Sequence, residues 1–412
     1  MRVVISMLTV AFGVGCGSDD PNSPSTDAPP GTTDSPTTPI TRDTEDTDAD
    51  TNVRAIVELI DGPIVLNSHG RALFGSVLLS DDTLFTTYQI STSKDVGPTS
   101  ITGGKNLYFR TFDRNLQETQ GEELAIDVMS TSPMNWDGDL GDQKLVLIGD
   151  SIYMVALIKG HDAPGFFEFD HNFNIVNGPA YIGMDDINLE KPLDMGFGHD
   201  GFSLFAQFFY QNGSDNPKDW GASVYQISLE LEELNSNVVY PEEGRFVTGT
   251  SIVFVPAGDM GFASDGLQSF STNLDYGNPQ RVSIHTFRLG PGLNLIAGTT
   301  QDVVSRELDT YFPVGTSYNS KHQLWIVAYT MENFEGEHGF KGATELGPSF
   351  FEVMDADFNS LATVAVNGGE PAFRVMTATI DDDLYVVYDE MDKDAYVEVS
   401  EAKLERYRLT AP

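Results

Sequence analysis

Two short patterns alternate six times along this chain, and that alternation restricts the fold more than any other feature. The first is a turn of acidic, glycine and polar residues placed just before an apolar strand. Its copies end at Asp82, Asp150, Asp200, Asp265, Lys321 and Asp382, at intervals of 68, 50, 65, 56 and 61 residues. The second is an alternating strand, a tight turn and a returning strand. It reads LYFRTFDRNLQE (107–118), GFFEFDHNFNIV (165–176), SVYQISLELEEL (223–234), IHTFRLGPGLNLI (284–296), FFEVMDADFNSLA (350–362) and AYVEVSEAKLERY (395–407). A repeat of this length marks a structural unit that cannot bury its apolar surface alone.

Between the landmarks lie short runs rich in β-branched and aromatic residues, such as LFTTYQI (84–90), IYMVALI (152–158), LWIVAY (324–329) and DLYVVYD (383–389). Their length, composition and Gly/Asp/Asn/Pro boundaries are those of strands. No stretch of 12 residues has helical periodicity; RELDTYF (306–312) and EAKLERY (401–407) come nearest. In the best second landmarks the turn reads Asp, any residue, Asn or Asp, then Leu or Phe. The Asp side chain can accept turn amides, and the Asn or Asp is expected to take the left-handed backbone.

Two hairpins per unit make a four-stranded sheet, and six units fill residues 54–412. The domain is therefore all-β, and it resembles a six-bladed β-propeller, in which sheets bury their faces by stacking radially. Seven blades result if residues 54–66 join the C-terminal hairpin and close the ring differently; a pair of β-sandwiches is the other arrangement that uses many short strands. No WD-type or kelch-type signature is present, so no propeller subfamily is implied.

The N-terminus reads as an address. Residues 1–16, MRVVISMLTVAFGVGC, carry one charge, Arg2, and an apolar run from Val3 to Val14, too short to span a bilayer. The run ends in small residues at the chain's one cysteine, Cys16. This resembles a bacterial lipoprotein signal, with Gly13 standing where that family prefers Leu. The resemblance implies lipidation of Cys16 and a membrane anchor. Gly17 follows the cysteine where inner-membrane lipoproteins of this kind often carry Asp, so the outer membrane is the expected location. Residues 17–53 form an acidic Ser/Thr/Pro-rich linker. Up to Asn52 it holds nine acids, one Arg and one large apolar side chain, Ile40, too little to offset the entropy of ordering. It is expected to be a disordered stalk of roughly 30–40 Å average span.

Charge and motifs narrow the function. The 412 residues carry 62 Asp+Glu against 23 Lys+Arg, a net −39, which makes nucleic acid a poor partner. One cysteine excludes a disulfide framework. There is no GxSxG, HExxH or GxxxxGK. Of the histidines, His199 and His322 fall in first-landmark turns and are expected to face solvent. Trp325 lies within an apolar strand and is expected in the core, whereas Trp136 and Trp220 lie in polar loops and are candidates for ligand recognition, of a glycan in particular.

Ca²⁺ is the candidate cofactor. Asp137, Asp139 and Asp142 place three carboxylates within six residues, around Gly138 and Gly141. The turns at Asp170 and Asp355 begin like EF-hand loops but lack the later Gly and Glu, and are expected to be hairpin turns. The sequence supports two functions. One is a lipid-anchored, monomeric binding or scaffold module for a protein or glycan ligand. The other is a propeller-type hydrolase or lyase acting on glycans or lactones, its catalytic residues not identifiable from sequence.

Overall fold

The computed structural model describes residues 56–68, 71–80, 82–91, 106–127, 140–158, 164–182, 195–211, 220–239, 246–259, 265–275, 281–307, 309–311, 315–333, 345–391 and 399–411. They lie in one compact unit, Val53–Pro412. The signal-like segment with Cys16 and the stalk fall outside the described residues.

The strands form six antiparallel sheets. Blade 1 is β2 (Arg71–Ser80), β3 (Thr83–Ser91), β4 (Asn106–Asp113) and β5 (Glu118–Asp127). Blade 2 is β6 (Leu140–Ile148), β7 (Ser151–Ile158), β8 (Gly165–Phe169) and β9 (Ile175–Tyr181), and blade 3 is β10 (Met195–His199), β11 (Ser203–Gln211), β12 (Trp220–Ser228) and β13 (Glu233–Val239). Blade 4 is β14 (Phe246–Val255), β15 (Gly266–Asp275), β16 (Arg281–Leu289) and β17 (Gln301–Glu307). In blade 5 the inner strand comes in two pieces, β18 (Asp309–Tyr311) and β19 (Gly315–Asn319), against β20 (Leu324–Asn333), followed by β21 (Glu345–Met354) and β22 (Ser360–Ala365). Blade 6 is β23 (Ala372–Ile380), β24 (Asp383–Met391) and β25 (Val399–Leu409), with β1 (Val57–Val65) as its outer strand. Each inner strand touches the next around a closed ring.

The last blade departs from the sequence reading. AYVEVSEAKLERY was expected to be a hairpin, but Val399–Leu409 is one strand. Its outer partner comes from the other end of the chain: Val57 pairs with Leu409 and Val65 with Lys403. Residues 57–65 thus do join the C-terminal strand, and the ring closes with six blades rather than seven. The near-helical segment EAKLERY is part of the same strand. Among the described residues the one helical element is a single 3₁₀ turn, Val366–Gly369.

Six apolar cores fill the six seams between blades. The second strand of each blade supplies both of its seams. In β24, Leu384, Val386 and Tyr388 pack toward blade 5, while Tyr385 and Val387 pack toward blade 1. That two-sided burial explains why these strands read as continuous apolar runs.

The C-terminal hairpin turns show how the seams are finished. In the turns of blades 1 to 5 a large apolar residue takes the left-handed backbone, Leu116, Phe173, Leu231, Leu293 and Phe358, at φ between 57° and 65°; in blades 1, 2 and 5 it follows the Asn or Asp expected to do so, and in blade 4 Gly292 is left-handed as well. All five side chains are buried in the seam with the preceding blade. Phe173 stacks on Phe109 at 4.0 Å between ring centres. Burying such a side chain is worth about 1.5–3 kcal/mol, against about 1–2 kcal/mol for a left-handed residue. Burial wins. The preceding Asp holds the turn: Asp170 accepts from the amides of Asn172 and Asn174 and from the Asn174 side chain, all at 2.9 Å, and Asp355 does the same with Asp357 and Asn359. Blade 6 has no such turn. Leu409, with Ile56 and Val57 packed beside it, closes the seam with blade 5.

Candidate functional site

The antiparallel order sorts the connections onto two ends. Turns between first and second strands, and between third and fourth, lie at the turn end. Connections between second and third strands, and between blades, leave from the opposite, loop end. Trp220 is the first residue of β12, where the chain returns from the loop end. Trp136, Asp137 and Asp139 lie outside the described residues, in the connection from β5 to β6. Asp142 lies on the backbone of β6, within an irregularity between Leu140 and Gln143. Among the described residues no three His, Cys, Asp or Glu side chains gather as a metal site.

The irregularity in β6 recurs. Leu140 to Gln143 faces Ile158 to Ala156, one residue more than its partner. The same extra residue occurs between Leu73 and Ser76 in β2, between Thr248 and Thr250 in β14, and between Phe373 and Met376 in β23. The break between β18 and β19 adds one residue too, with Tyr311 to Gly315 facing Met331 to Ala328. Such a bulge bends the strand and frees main-chain groups from the ladder. Five inner strands therefore carry one as they approach the ring axis from the loop end.

Three of these bulges are joined by one side chain. Arg374, in the bulge of β23 with φ 48°, is fully buried. Its Nη1 donates to the Gly75 carbonyl and its Nη2 to the Gln143 carbonyl, both at 2.6 Å. The Gly75 amide donates in turn to Asp389 Oδ1 at 3.0 Å. Both main-chain groups of Gly75 are thereby satisfied by blade 6. A Cβ at position 75 would collide with Val387, so only glycine fits there. Lys144, 5% exposed, lies with Nζ 3.4 Å from Met376 Sδ, and Gln89 donates to the Gln143 side chain. Two cations, on blades 6 and 2, and a blade 6 carboxylate that is 1% exposed are thus buried around the bulges of β2, β6 and β23.

The other half of the ring is built differently. Ser251 and Thr316 pair at 2.6 Å, and Ser317 and Thr377 at 2.9 Å, tying inner strands together with uncharged hydroxyls.

Other buried carboxylates are occupied within blades. The sixth residue of the second strand is Tyr88, Tyr329 or Tyr388 in blades 1, 5 and 6, and each donates to a carboxylate: Glu122, Glu352 and Glu405. Tyr407 also donates to Glu405, at 2.6 Å. Burial, first, and the adjoining carboxylate push the Tyr88, Tyr388 and Tyr407 phenols upward.

Two histidines depart from their expected exposure. His322 Nε2 lies 2.6 Å from Asp382 across the seam between blades 5 and 6, with Lys321 Nζ on the other oxygen at 2.7 Å. His199 ends β10 half-buried, and burial lowers its pKa. Trp325 is in the core as expected, fully buried.

No protein-family model matches the chain, and no curated protein matches it. Solved structures resemble its fold distantly. A thermostable family-43 glycoside hydrolase is 9% identical with TM-score 0.44, covering 74% of this chain and 96% of that one. The parainfluenza virus 5 hemagglutinin-neuraminidase is 9% identical with TM-score 0.46, covering 86% and 94%. An exo-1,5-α-L-arabinanase from a bovine ruminal metagenomic library is 12% identical with TM-score 0.38, covering 72% and 96%. Likeness at this level carries no argument about activity.

Proposed function

We propose that the chain is a propeller-type enzyme acting on glycans, a hydrolase or lyase, working from the loop end of the ring axis. The observation that carries this reading is the burial of Arg374, Asp389 and Lys144, each at most 5% exposed, around the bulges of β23, β2 and β6. Inner strands can be tied by uncharged side chains, as the Ser251–Thr316 and Ser317–Thr377 pairs of blades 4 to 6 show. Buried ionisable groups on strained backbone are costly and concentrate where chemistry is done. Asp389 is the described carboxylate of that group. Glycoside cleavage takes two carboxylates, and Asp389 is the one we assign.

Placement on the cell envelope through Cys16 is part of the same proposal. The described residues begin at the turn end, where Thr410 donates to the Ile56 carbonyl at 3.0 Å.

The test is release of reducing sugar or unsaturated product from a panel of polysaccharides and aryl glycosides by the full chain. Asp389→Asn, which keeps the acceptor for Gly75, should lower turnover at least 100-fold with the melting temperature within about 2 °C of wild type. Binding to a polysaccharide with no turnover by the wild type would instead establish the non-catalytic module.

A further inference from the structure

The cations of the turn end are unevenly spread. Around blades 5, 6 and 1, Lys321 reaches Asp382, Arg114 reaches Asp381 at 2.9 Å, and Arg406 reaches Asp383. Among the described residues of blades 2 and 3 the one Lys or Arg is Lys144, which is buried. The turn end of these two blades therefore presents carboxylates alone, Glu230, Glu232 and Glu233 among them, all exposed.

In that acidic field stands Phe202, 84% exposed at the turn between β10 and β11. The turn is fixed, because Asp200 Oδ1 accepts from the Phe202 amide at 2.8 Å and the Ser203 amide at 2.7 Å. Ser203 pairs with Ser228, which opens the Ser228–Glu232 turn. Leu234, 56% exposed, follows that turn. On the blade 2 side, Asn177 donates to the Glu230 carbonyl at 3.3 Å, and Val176, the residue before it, is 61% exposed. Exposed apolar residues scattered singly are ordinary, but an aromatic ring held out on a rigid turn, on the same end as two exposed aliphatic residues of neighbouring strands, offers a contact surface.

We propose that the turn end of blades 2 and 3 docks a basic amphipathic segment of another protein. Its apolar face would cover Phe202, Val176 and Leu234, and its Lys or Arg flanks would meet Glu230, Glu232 and Glu233. Charge selects this occupant. A second copy of the chain, or an anionic bilayer, would bring negative charge against negative charge.

The experiment titrates the full chain by calorimetry with a 20-residue amphipathic peptide of Lys and Leu, and with a Ser-for-Lys version of it. The Lys peptide should bind, and the Ser peptide should bind at least tenfold more weakly. Phe202→Ser should weaken the Lys peptide at least tenfold, and Glu230→Gln/Glu232→Gln/Glu233→Gln should both weaken it and flatten its salt dependence. Leu124→Ser, at an exposed apolar position on β5 of blade 1, should leave binding unchanged. Equal binding by wild type and Phe202→Ser overturns the proposal, as does an equal loss in Leu124→Ser. Sedimentation showing a dimer that Phe202→Ser dissolves would make this face a self-interface and overturn it as well.

Discussion

Arg374 and Gly75, 299 residues apart in the chain, are joined by a 2.6 Å hydrogen bond from guanidinium to carbonyl. The same guanidinium reaches Gln143, so one side chain links the last blade to the first two. Two parallel acceptors suit the planar fork of Arg, which Lys cannot reproduce. Arg374→Lys should leave one buried carbonyl without its donor and cost about 1–3 kcal/mol, read as a lower denaturant midpoint with an unchanged slope. An unchanged midpoint would show that the bridge contributes nothing to closing the ring.

The left-handed plugs give a second test. At Phe173, packing and backbone preference oppose each other, because Asn tolerates φ near 57° better than Phe does but cannot fill the seam. Losing a buried Phe costs about 3–5 kcal/mol, and relief of the backbone returns about 1 kcal/mol. Phe173→Asn should therefore destabilise by about 2–4 kcal/mol in equilibrium unfolding. A variant as stable as wild type would mean that the turn, not the seam, sets the conformation.

The alternation of landmarks made the sixfold ring readable, because each blade repeats the same two turns at the same end. The sixth hairpin was misread for a physical reason. Its returning strand is supplied by Val57–Val65, some 340 residues away, and a local pattern carries no information about so distant a partner. The left-handed residue was misplaced by one because turn chemistry was weighed without the seam that buries Phe173 and Phe358. The cluster around the bulges left a fainter mark. Arg374 interrupts an otherwise apolar strand, AFRVM, in a chain with few cations, but strand alternation alone does not distinguish a buried Arg from an exposed one. Bulges, which aim these side chains, follow from tertiary pairing.

Stability should fall at both extremes of pH. Asp382 is held below the ordinary carboxylate range by hydrogen bonds from Lys321 first and His322 next. Asp170 is lowered chiefly by the Asn174 side chain. Burial pulls Asp355 upward, but the Asn359 side chain and the turn amides together bring it below the ordinary value. A depressed pKa contributes stability that is complete above the unfolded value, about 3.9, and is lost as pH falls through the folded one. Burial, followed by nearby carboxylates, pushes the Tyr318 and Tyr385 phenols up to about 12. Their contribution is complete below the unfolded value near 10 and is lost as pH rises from there. The melting temperature should be level between about pH 7 and 9, decline below about 6.5 as half-buried His199 resists the proton that the unfolded chain takes up, drop more steeply below about 4 and fall again above about 10. Asp382→Asn should lessen the acid limb, and full stability at pH 2 would refute the assignment.

Salt should stabilise the fold, and the kind of salt separates two causes. Without Arg2 and the net −8 of the stalk, residues 53–412 still carry −32. Repulsion of this size weakens a compact state when it is unscreened. Arg114, Lys321 and Arg406, around blades 5, 6 and 1, are already paired with carboxylates, and blades 2 and 3 offer no described surface Lys or Arg to offset their acids. Raising NaCl from about 10 to 150 mM shortens the screening length from about 30 to 8 Å and should raise the melting temperature by several degrees. CaCl₂ at equal ionic strength should act like NaCl if screening is the whole effect. A larger effect of Ca²⁺ that vanishes in Asp137→Asn/Asp139→Asn would assign the excess to the stretch ending at Asp142, where carboxylates close in sequence repel one another until a divalent cation neutralises them. A melting temperature indifferent to NaCl would show that the acids are too dispersed for repulsion to matter.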